Sequence, residues 1–262
     1  MLNLSQIESF YPENLRVNQR SLLREYLQYV LLEIIYRSDY GRSLVFMGGT
    51  AIHIVHGNQR FSEDLDFDNR GLSKENFFAL VEEISHKLEL LGYQVELSNK
   101  LNNTYRCLIK FPGIFHQFSL SGHIREKLII QIDTEPQNFD YQADQVLISN
   151  FDILLKINTV PVDILLAQKL LAILKRARPM GRDFFDAIFL FSKTNPNYNY
   201  LKEKMGLRDY NDYPKIVKDL LFKKCSEIDF NKLITEIKPF LFQPDDAQRI
   251  LLFPNFIAQK IH

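Results

Sequence analysis

The sequence predicts an α+β fold, in which an N-terminal α/β part with a mixed sheet precedes a C-terminal helical part. Two observations predict this arrangement. Short apolar runs typical of strands alternate with helical periodicity in the first part, and beyond about Pro161 the periodicity is helical. We place the boundary at Thr159-Val160-Pro161, which divides the chain into residues 1–160 and 161–262. With 262 residues, 46% of them hydrophobic, the chain is large enough to bury these cores.

The N-terminal part begins with a predicted amphipathic helix, because apolar residues recur at helical spacing over residues 17–36. Residues 43–47 are typical of a short buried strand, which two glycines end. Residues 64–68 alternate acidic and apolar side chains, as a strand with its carboxylates on one face does. The other predicted elements are a helix at residues 50–56, a helix capped by Ser73 and closed by Gly92, and strands at residues 94–97, 105–111 and 127–133.

The C-terminal part is predicted to consist of helices. Apolar residues follow helical spacing in five successive segments, and the sequence contains no internal repeat or low-complexity tract. The predicted helices cover residues 162–176, 182–191, 212–223, 231–240 and 245–252.

Composition excludes several classes of protein. Lys and Arg total 32, as do Asp and Glu, so the net charge of zero neither indicates nor excludes a polyanionic partner. Cys107 and Cys225 lie far apart without a Cys/His cluster, which argues against a zinc site or a disulfide framework. The N-terminus lacks a signal-peptide pattern, and no apolar run approaches the ~18 residues that a membrane span needs. We therefore expect a cytoplasmic protein without a membrane partner.

The glycine turn is the first candidate for chemistry. Gly48, Gly49 and Thr50 stand where a predicted strand passes into a helix, so backbone N–H groups and the helix N-terminus can face an anion such as phosphate. The alternative is a tight turn that requires glycine for its backbone angles alone.

The acidic strand is the second candidate. Asp64 and Asp66 project from one face, and two carboxylates so close repel each other unless a cation lies between them. Mg²⁺ prefers carboxylate oxygen and leaves positions for substrate phosphates. Arg60 and Ser62 lead into the pair and are included in the predicted site. The alternative is an exposed edge strand whose acids prevent aggregation.

A third carboxylate from a neighbouring strand would complete a site for two metal ions. Asp133 is the candidate, because it ends the predicted strand at residues 127–133. Glu135 shares its face and competes for the role, and an aspartate at the end of a strand can also simply begin a turn.

The helical part supplies candidate phosphate ligands. Lys169 interrupts an apolar helical stripe, so its ammonium group either reaches water or points into a cleft, where it and Arg176 would hold phosphates. Arg182, Asp183 and Asp186 lie together on the next predicted helix, either as part of the same site or as an ordinary first-turn acid and ion pair. His53 has no matching acid in the sequence pattern and is interpreted as structural.

These motifs resemble the AbiEii/AbiGii-type nucleotidyltransferase toxin family of the polymerase-beta-like superfamily. The resemblance rests on Gly48-Gly49-Thr50-Ala51, on residues 60–67, on the strand that ends at Asp133, and on Lys169 with residues 182–186. It implies a polymerase-beta-like α/β domain and a helical domain that completes the active-site cleft. It also implies an enzyme that binds a nucleoside triphosphate with Mg²⁺, attaches the nucleotide to an acceptor, often the 3′ end of tRNA, and releases pyrophosphate.

The resemblance also assigns roles to residues. Gly48, Gly49 and Thr50 would hold the triphosphate, and because the superfamily usually has Gly-Ser here, hydroxyl contacts depend on Thr50. Asp64 and Asp66 would bind metal, and Lys169 would contact phosphate. Arg182, Asp183 and Asp186 would line the same cleft, with Asp186 orienting or deprotonating the acceptor hydroxyl. A DNA-binding antitoxin encoded alongside is expected as a partner.

Two other functions stay open at this point. The acceptor can be a protein or a small molecule instead of RNA, or the chain can be an inactive nucleotide-binding module. For an RNA acceptor, five residues offer a possible stacking and phosphate-binding surface, although aromatic residues in strands usually belong to the core. These residues are Tyr93, Tyr105, Arg106, Lys110 and Phe111.

Overall fold

The computed structural model describes residues 1–101, 104–207 and 212–261. Its contacts divide the chain into two compact units. The first unit comprises Met1–Val55, Phe61–Asn138 and Ala143–Thr159, and the second comprises His56–Arg60, Phe139–Gln142 and Val160–His262. The second unit thus includes two short segments that precede the predicted boundary. The predicted division at a single boundary assigned both segments to the N-terminal part. That the two halves act as separate domains stays a prediction.

The first unit contains a seven-stranded mixed sheet, which confirms the predicted fold class. The strand order is β3-β4-β5-β2-β1-β7-β6. β1 pairs with β2 antiparallel and with β7 parallel, β2 pairs with β5 parallel, and the remaining pairs are antiparallel. The strands are β1 (Leu44–Met47), β2 (Leu65–Asn69), β3 (Glu96–Leu101), β4 (Tyr105–Pro112), β5 (Lys127–Glu135), β6 (Asp144–Asn150) and β7 (Ile153–Thr159).

Helices cover one face of this sheet. Along β5, Leu128, Ile130 and Ile132 are buried, whereas the side chains between them are more exposed. The buried face meets the long helix α2, which packs on β5 and β7, and α4, which packs on β4. Each buried Leu, Ile or Phe stabilises this layer by roughly 1.5–3 kcal/mol. The helices of this unit are α1 (Leu4–Ser9), α2 (Gln19–Arg37), α3 (Gly48–His56, whose last residue belongs to the second unit), α4 (Lys74–Leu90) and α5 (Ile114–Gln117).

The second unit is built from helices around α7. Phe184 of α7 makes edge-to-face contacts with Phe230 and Phe253. A Cβ added to Gly181 would lie 2.5 Å from the Leu233 carbonyl oxygen, so α7 approaches α10 closely where its first residue has no side chain. The helices are α6 (Val162–Lys175), α7 (Gly181–Phe191), α8 (Tyr198–Lys204), α9 (Tyr213–Ser226), α10 (Phe230–Ile237), α11 (Phe253–Lys260) and 3-10 helices at Lys238–Phe240 and Pro244–Leu252.

Several predicted elements differ from the observed ones. The strand predicted at residues 94–97 is β3, which begins later, at Glu96. The helix predicted from Thr50 begins at Gly48, and the segment predicted as a helix at residues 245–252 forms a 3-10 helix. The sequence patterns did not predict α1, α8, α11, β6 or β7. Within the described part of the chain, the helices are too short or too polar to cross a membrane.

Candidate active site

The glycine turn and the acidic strand meet because β1 and β2 are neighbours. Met47 lies opposite Asp66 in their antiparallel register, so the residue after Met47 must pass the Asp66 side chain. A Cβ on Gly48 would lie 2.2 Å from the Asp66 Oδ2, and Gly48 has a φ of +78°, a left-handed conformation. Gly48 is therefore required both for its backbone angles and for the close approach of this carboxylate.

Thr50 holds the acidic strand from the other side. Its side chain is fully buried, and its hydroxyl donates a hydrogen bond to the backbone carbonyl of Asp64. This contact differs from the predicted contact between the hydroxyl and phosphate. In the structure, Thr50 fixes the start of β2, whereas Gly49 beside it is half-buried at the N-terminus of α3.

Three carboxylates lie along one edge of the site. Asp64 precedes β2, Asp66 lies within it, and Asp133 lies beside Asp66 in the parallel register of β2 and β5. Neighbouring strands are about 4.8 Å apart, so Asp66 and Asp133 point the same way from adjacent positions. Asp68 is different: it is buried, and it accepts a 2.8 Å hydrogen bond from the Gln137 backbone.

Arg106 is paired with the third carboxylate. Its Nε and Nη2 lie 2.7 and 2.9 Å from the two oxygens of Asp133, directly across the antiparallel pair of β4 and β5. The hydrogen bond and charge of Asp133, together with Asp64 and Asp66, raise the pKa of Arg106 above its usual value. The Gln131 amide donates a further 2.8 Å bond to Asp133. Arg106 thus pairs directly with Asp133, and Asp64 and Asp66 act on its guanidinium through their charge.

The donor set fits Mg²⁺ in its chemistry. Asp64 and Asp66 offer carboxylate oxygens at alternate positions, and Asp133 adds another from the next strand. Among the residues that the structure describes, no three acidic, histidine or cysteine side chains converge as a metal cage, and Asp133 is paired with Arg106. The competing candidate Glu135 is opposite Asp68, two positions beyond Asp66, so Asp133 is the better placed of the two.

Helix α2 supports this edge with three polar side chains. Gln28 donates a 3.0 Å hydrogen bond to the Ser62 carbonyl, and Arg24 lies 3.6 Å from Glu63. Ser62, predicted as a ligand-binding residue, is half-buried here.

The third of these side chains supplies the acid that the sequence pattern lacked for His53. The Nε2 of His53, on α3, lies 2.9 Å from the Oε2 of Glu25, and both residues are buried. Sequence analysis missed Glu25, Gln28 and the role of Arg106. A detectable signal for the first two is a polar residue inside an otherwise apolar helix.

The second unit contains a buried charge cluster around Asp186. Arg60 grips this carboxylate with Nε and Nη2, each 2.6 Å from an oxygen. Asn58 donates a 2.7 Å bond and Lys169 Nζ lies at 2.9 Å. Burial raises the pKa of the Asp186 carboxyl, but the charges of Arg60 and Lys169 outweigh it, and the pKa is lowered below its usual range.

Asp183 and Arg176 extend this cluster. Asp183 is 1% exposed, and it lies 3.3 Å from Lys169 Nζ and 2.9 Å from Arg176 Nε. The side chain of Lys169 is 12% exposed and that of Arg176 is 44% exposed. The cluster contains three cations, Arg60, Lys169 and Arg176, and two carboxylates, Asp183 and Asp186, so its net charge is positive. Arg176 is the most exposed of the three cations.

These contacts correct two predicted roles. Arg60 is buried in its pair with Asp186, so its guanidinium is not presented to a phosphate. Asp186 is fully buried and bound by cations, so it is a poor base for an acceptor hydroxyl. Its partners are Arg60, Asn58 and Lys169, and Arg182 remains a half-buried candidate on the first turn of α7.

The proposed aromatic surface for RNA is also wrong for two of its members. Tyr93 and Phe111 are 3% and 0% exposed, and their rings pack edge to face in the core. Tyr105, Arg106 and Lys110 are half-buried on β4.

Comparison with known proteins agrees with this architecture. The model of the family "Nucleotidyl transferase AbiEii toxin, Type IV TA system" matches residues 30–251. The chain belongs to this family. This AbiEii protein is therefore a nucleotidyltransferase toxin, with a nucleoside triphosphate as substrate and an antitoxin as the partner that such a system includes. The matched region contains the glycine turn, the acidic strand and the charge cluster.

Solved structures share the fold. JHP933 of Helicobacter pylori has 18% sequence identity and a TM-score of 0.57, over 93% of this chain and 92% of that one. A candidate nucleotidyltransferase of H. pylori has 14% identity and a TM-score of 0.54, over 92% and 96% of the two chains. No curated protein matches the sequence.

Proposed function

We propose that this AbiEii protein is an Mg²⁺-dependent enzyme that transfers a nucleotide from a nucleoside triphosphate to the 3′ end of tRNA. The observation that carries the proposal is the contact between the glycine turn and the carboxylate row, where Gly48 lies against Asp66 and Asp66 lies beside Asp133. Phosphoryl transfer needs positioning and charge neutralisation more than covalent help from the protein. This edge of the sheet offers both.

In this proposal the first unit holds the metal and the phosphates. Asp64 and Asp66 hold Mg²⁺, with Asp133 as the third carboxylate. When bound, Mg²⁺ neutralises charge on the triphosphate. The backbone N–H groups at the start of α3 face a phosphate oxygen, because Gly48 and Gly49 have no side chains to cover them. Thr50 keeps Asp64 in place through its backbone carbonyl.

The second unit contains the cationic side chains that we propose as phosphate ligands. Lys169 and Arg176 are the proposed contacts to phosphate. Their ion pairs with the buried carboxylates of Asp183 and Asp186 hold them in position. Arg182 is proposed to join them. Arg60 acts on this surface indirectly, since it shares the Asp186 carboxylate with Lys169.

The acceptor follows from the family resemblance. In several members of the family that the sequence resembles, the acceptor is tRNA. The acceptor here is proposed to be its 3′ hydroxyl, with a DNA-binding antitoxin as partner. Attack of that hydroxyl on the α-phosphate forms a phosphodiester bond. The bond between the α- and β-phosphates breaks, and pyrophosphate is released.

The test is incubation of the purified protein with Mg²⁺, total tRNA and each α-phosphate-labelled nucleoside triphosphate in turn. We expect label on tRNA with one or more of the nucleotides, and none with Asp64→Ala/Asp66→Ala. Because partly exposed carboxylates add little to stability, this variant should keep the thermal transition of the wild type.

A second control separates metal ligands from general loss of negative charge. Glu135→Gln removes an exposed carboxylate from the same face of β5, and it should leave transfer unchanged. Label on protein instead of RNA would transfer the proposal to a protein acceptor. Equal labelling by wild type and the double variant would refute the assigned site.

A further inference from the structure

The most concentrated positive charge of the sequence lies between Lys169 and Arg182. These fourteen residues contain five cations and no Asp or Glu, in a chain whose 32 cations and 32 carboxylates balance. The rest of the chain is therefore net negative, and this stretch is the exception. The buried cluster partly neutralises Lys169 and Arg176 through Asp183 and Asp186.

The structure presents these charges on an open surface. Helix α6 ends at Lys175, and the next residues run without helix or strand to Gly181. Arg176 and Arg178 are exposed, and Lys175 lies at the exposed end of the helix. We call residues 175–182 the basic segment.

A neighbouring helix adds a cation to the basic segment. Lys224 of α9 donates a 3.2 Å hydrogen bond to the Arg176 carbonyl, which places its ammonium group on the segment. Lys175 donates a 2.9 Å bond to the Lys204 carbonyl at the end of α8. The Lys224 ammonium group therefore joins the cations of the segment, and the Lys175 ammonium group is held at the end of α8.

Acidic groups do not cancel this charge. Asp183 is buried and held by Lys169 and Arg176, and Glu236 accepts a 3.2 Å hydrogen bond from the Gly181 backbone. Glu203, next to Lys204, and Glu227, three residues after Lys224, are exposed acids at the ends of α8 and α9. The exposed cations Lys175, Arg176 and Arg178 outnumber these two acids.

We infer that the basic segment binds the sugar–phosphate backbone of a nucleic acid. A row of exposed cations on an open surface suits a polymer of phosphates better than one compact triphosphate, which needs convergent ligands. Lys175 and Arg178 have no part in the proposed triphosphate contacts, and a guanidinium group such as that of Arg178 also binds phosphate oxygens in pairs. That this nucleic acid is the acceptor rests on the proposed function.

The test measures binding without chemistry. Fluorescein-labelled total tRNA is titrated with the protein in the absence of nucleotide, and anisotropy gives Kd at several salt concentrations. For Lys175→Ala/Arg178→Ala we expect a Kd about tenfold or more weaker at low salt. The slope of log K against log salt should fall by about 2, because each of the two removed cations neutralises about one phosphate. Arg178→Glu, which changes one exposed side chain, should weaken binding further than Arg178→Ala.

The matched control is Arg37→Ala/Lys87→Ala. Arg37 is exposed and Lys87 is half-buried; they pair with Glu33 and Glu83 on α2 and α4, and their removal changes net charge by the same amount. We expect the Kd and the salt slope of the wild type.

Equal binding by the segment variant and wild type, or equal weakening in the control, would overturn the inference. Competition by polyglutamate as effective as that by unlabelled tRNA would overturn the assignment to nucleic acid. Binding that depends on the segment, in a protein that transfers no label, would refute the proposed function and leave this inference standing.

Discussion

At the scale of single residues, Gly48 is the position that joins the turn to the carboxylates. A side chain there must enter the space of the Asp66 Oδ2 and adopt a left-handed backbone, which costs an L-residue roughly 1–2 kcal/mol. We therefore expect Gly48→Ala to abolish transfer, because Asp66 is displaced from its place beside Asp133. Transfer to tRNA and thermal unfolding, measured together, test this expectation.

Gly57 offers a matched control for that substitution. Its φ of +79° is almost the same, but a Cβ there would meet no atom within 4 Å. Gly57→Ala should lower the unfolding temperature through backbone strain and keep transfer activity. If both variants keep activity, the contact between Gly48 and Asp66 has no catalytic importance.

The Asp186 carboxylate is expected to contribute to stability. Removing its charge leaves Arg60 and Lys169 buried without their main partner, and breaking such a pair costs about 3–5 kcal/mol. Because its pKa is lowered on folding, the stabilisation is complete above its unfolded value of about 3.9 and is lost as pH falls through the folded pKa.

Urea denaturation of wild type and Asp186→Asn tests this role. The difference in unfolding free energy should be constant between about pH 5 and 8 and should shrink in acid below about pH 4. Glu83→Gln, which breaks an exposed pair with Lys87, should cost less than about 1 kcal/mol. A stable Asp186→Asn protein that is defective only in transfer would restore the predicted role as a base.

How well the sequence predicts the site depends on how far apart the contacting residues lie along the chain. Gly48 and Asp66 were chosen as candidates because strand, turn and alternation are local patterns. Arg106 and Asp133 are 27 residues apart, and Arg60 and Asp186 are 126 apart. Such partners are set by strand register and helix packing. Neither produces a periodic pattern that can be read from a single sequence. The buried pair of Arg60 and Asp186 was therefore not predicted.

At the scale of elements, the β6–β7 hairpin explains why two strands were missed. Its turn residues Phe151 and Asp152 both have positive φ, of 52° and 62°. Turns of this kind usually contain Asn-Gly, so the sequence lacked the expected signal. The Phe151 ring is buried against Phe10, Tyr11, Tyr26 and Tyr29, with centroids 5.1 to 5.9 Å away. Packing, and not local preference, holds this turn.

Substitutions in the turn separate strain from packing. Asp152 is exposed, so Asp152→Gly should relieve its left-handed strain and stabilise the protein by about 1 kcal/mol. Phe151→Gly relieves the same strain but removes a buried ring, for a net destabilisation of roughly 2–4 kcal/mol. Urea unfolding measures both values, and equal effects of the two variants would contradict this account of the turn.

At the scale of the whole molecule, we expect ligand binding to raise the free energy of unfolding. A ligand that binds the folded state alone stabilises it by about 2.7 kcal/mol at a concentration one hundred times its Kd. For a chain of this size, that amount corresponds to a rise of roughly 5–10 °C in unfolding temperature.

Thermal unfolding with Mg²⁺ and the preferred triphosphate should therefore show this rise in the wild type, and EDTA should remove it. Asp133→Asn should abolish most of the rise, because Asp133 lies beside Asp66 in the sheet, whereas Glu135→Gln should keep it. The opposite result would make Glu135 the third carboxylate. A full rise in Asp64→Ala/Asp66→Ala would mean that the triphosphate binds away from the carboxylate row, and that the glycine turn is a structural feature of the sheet.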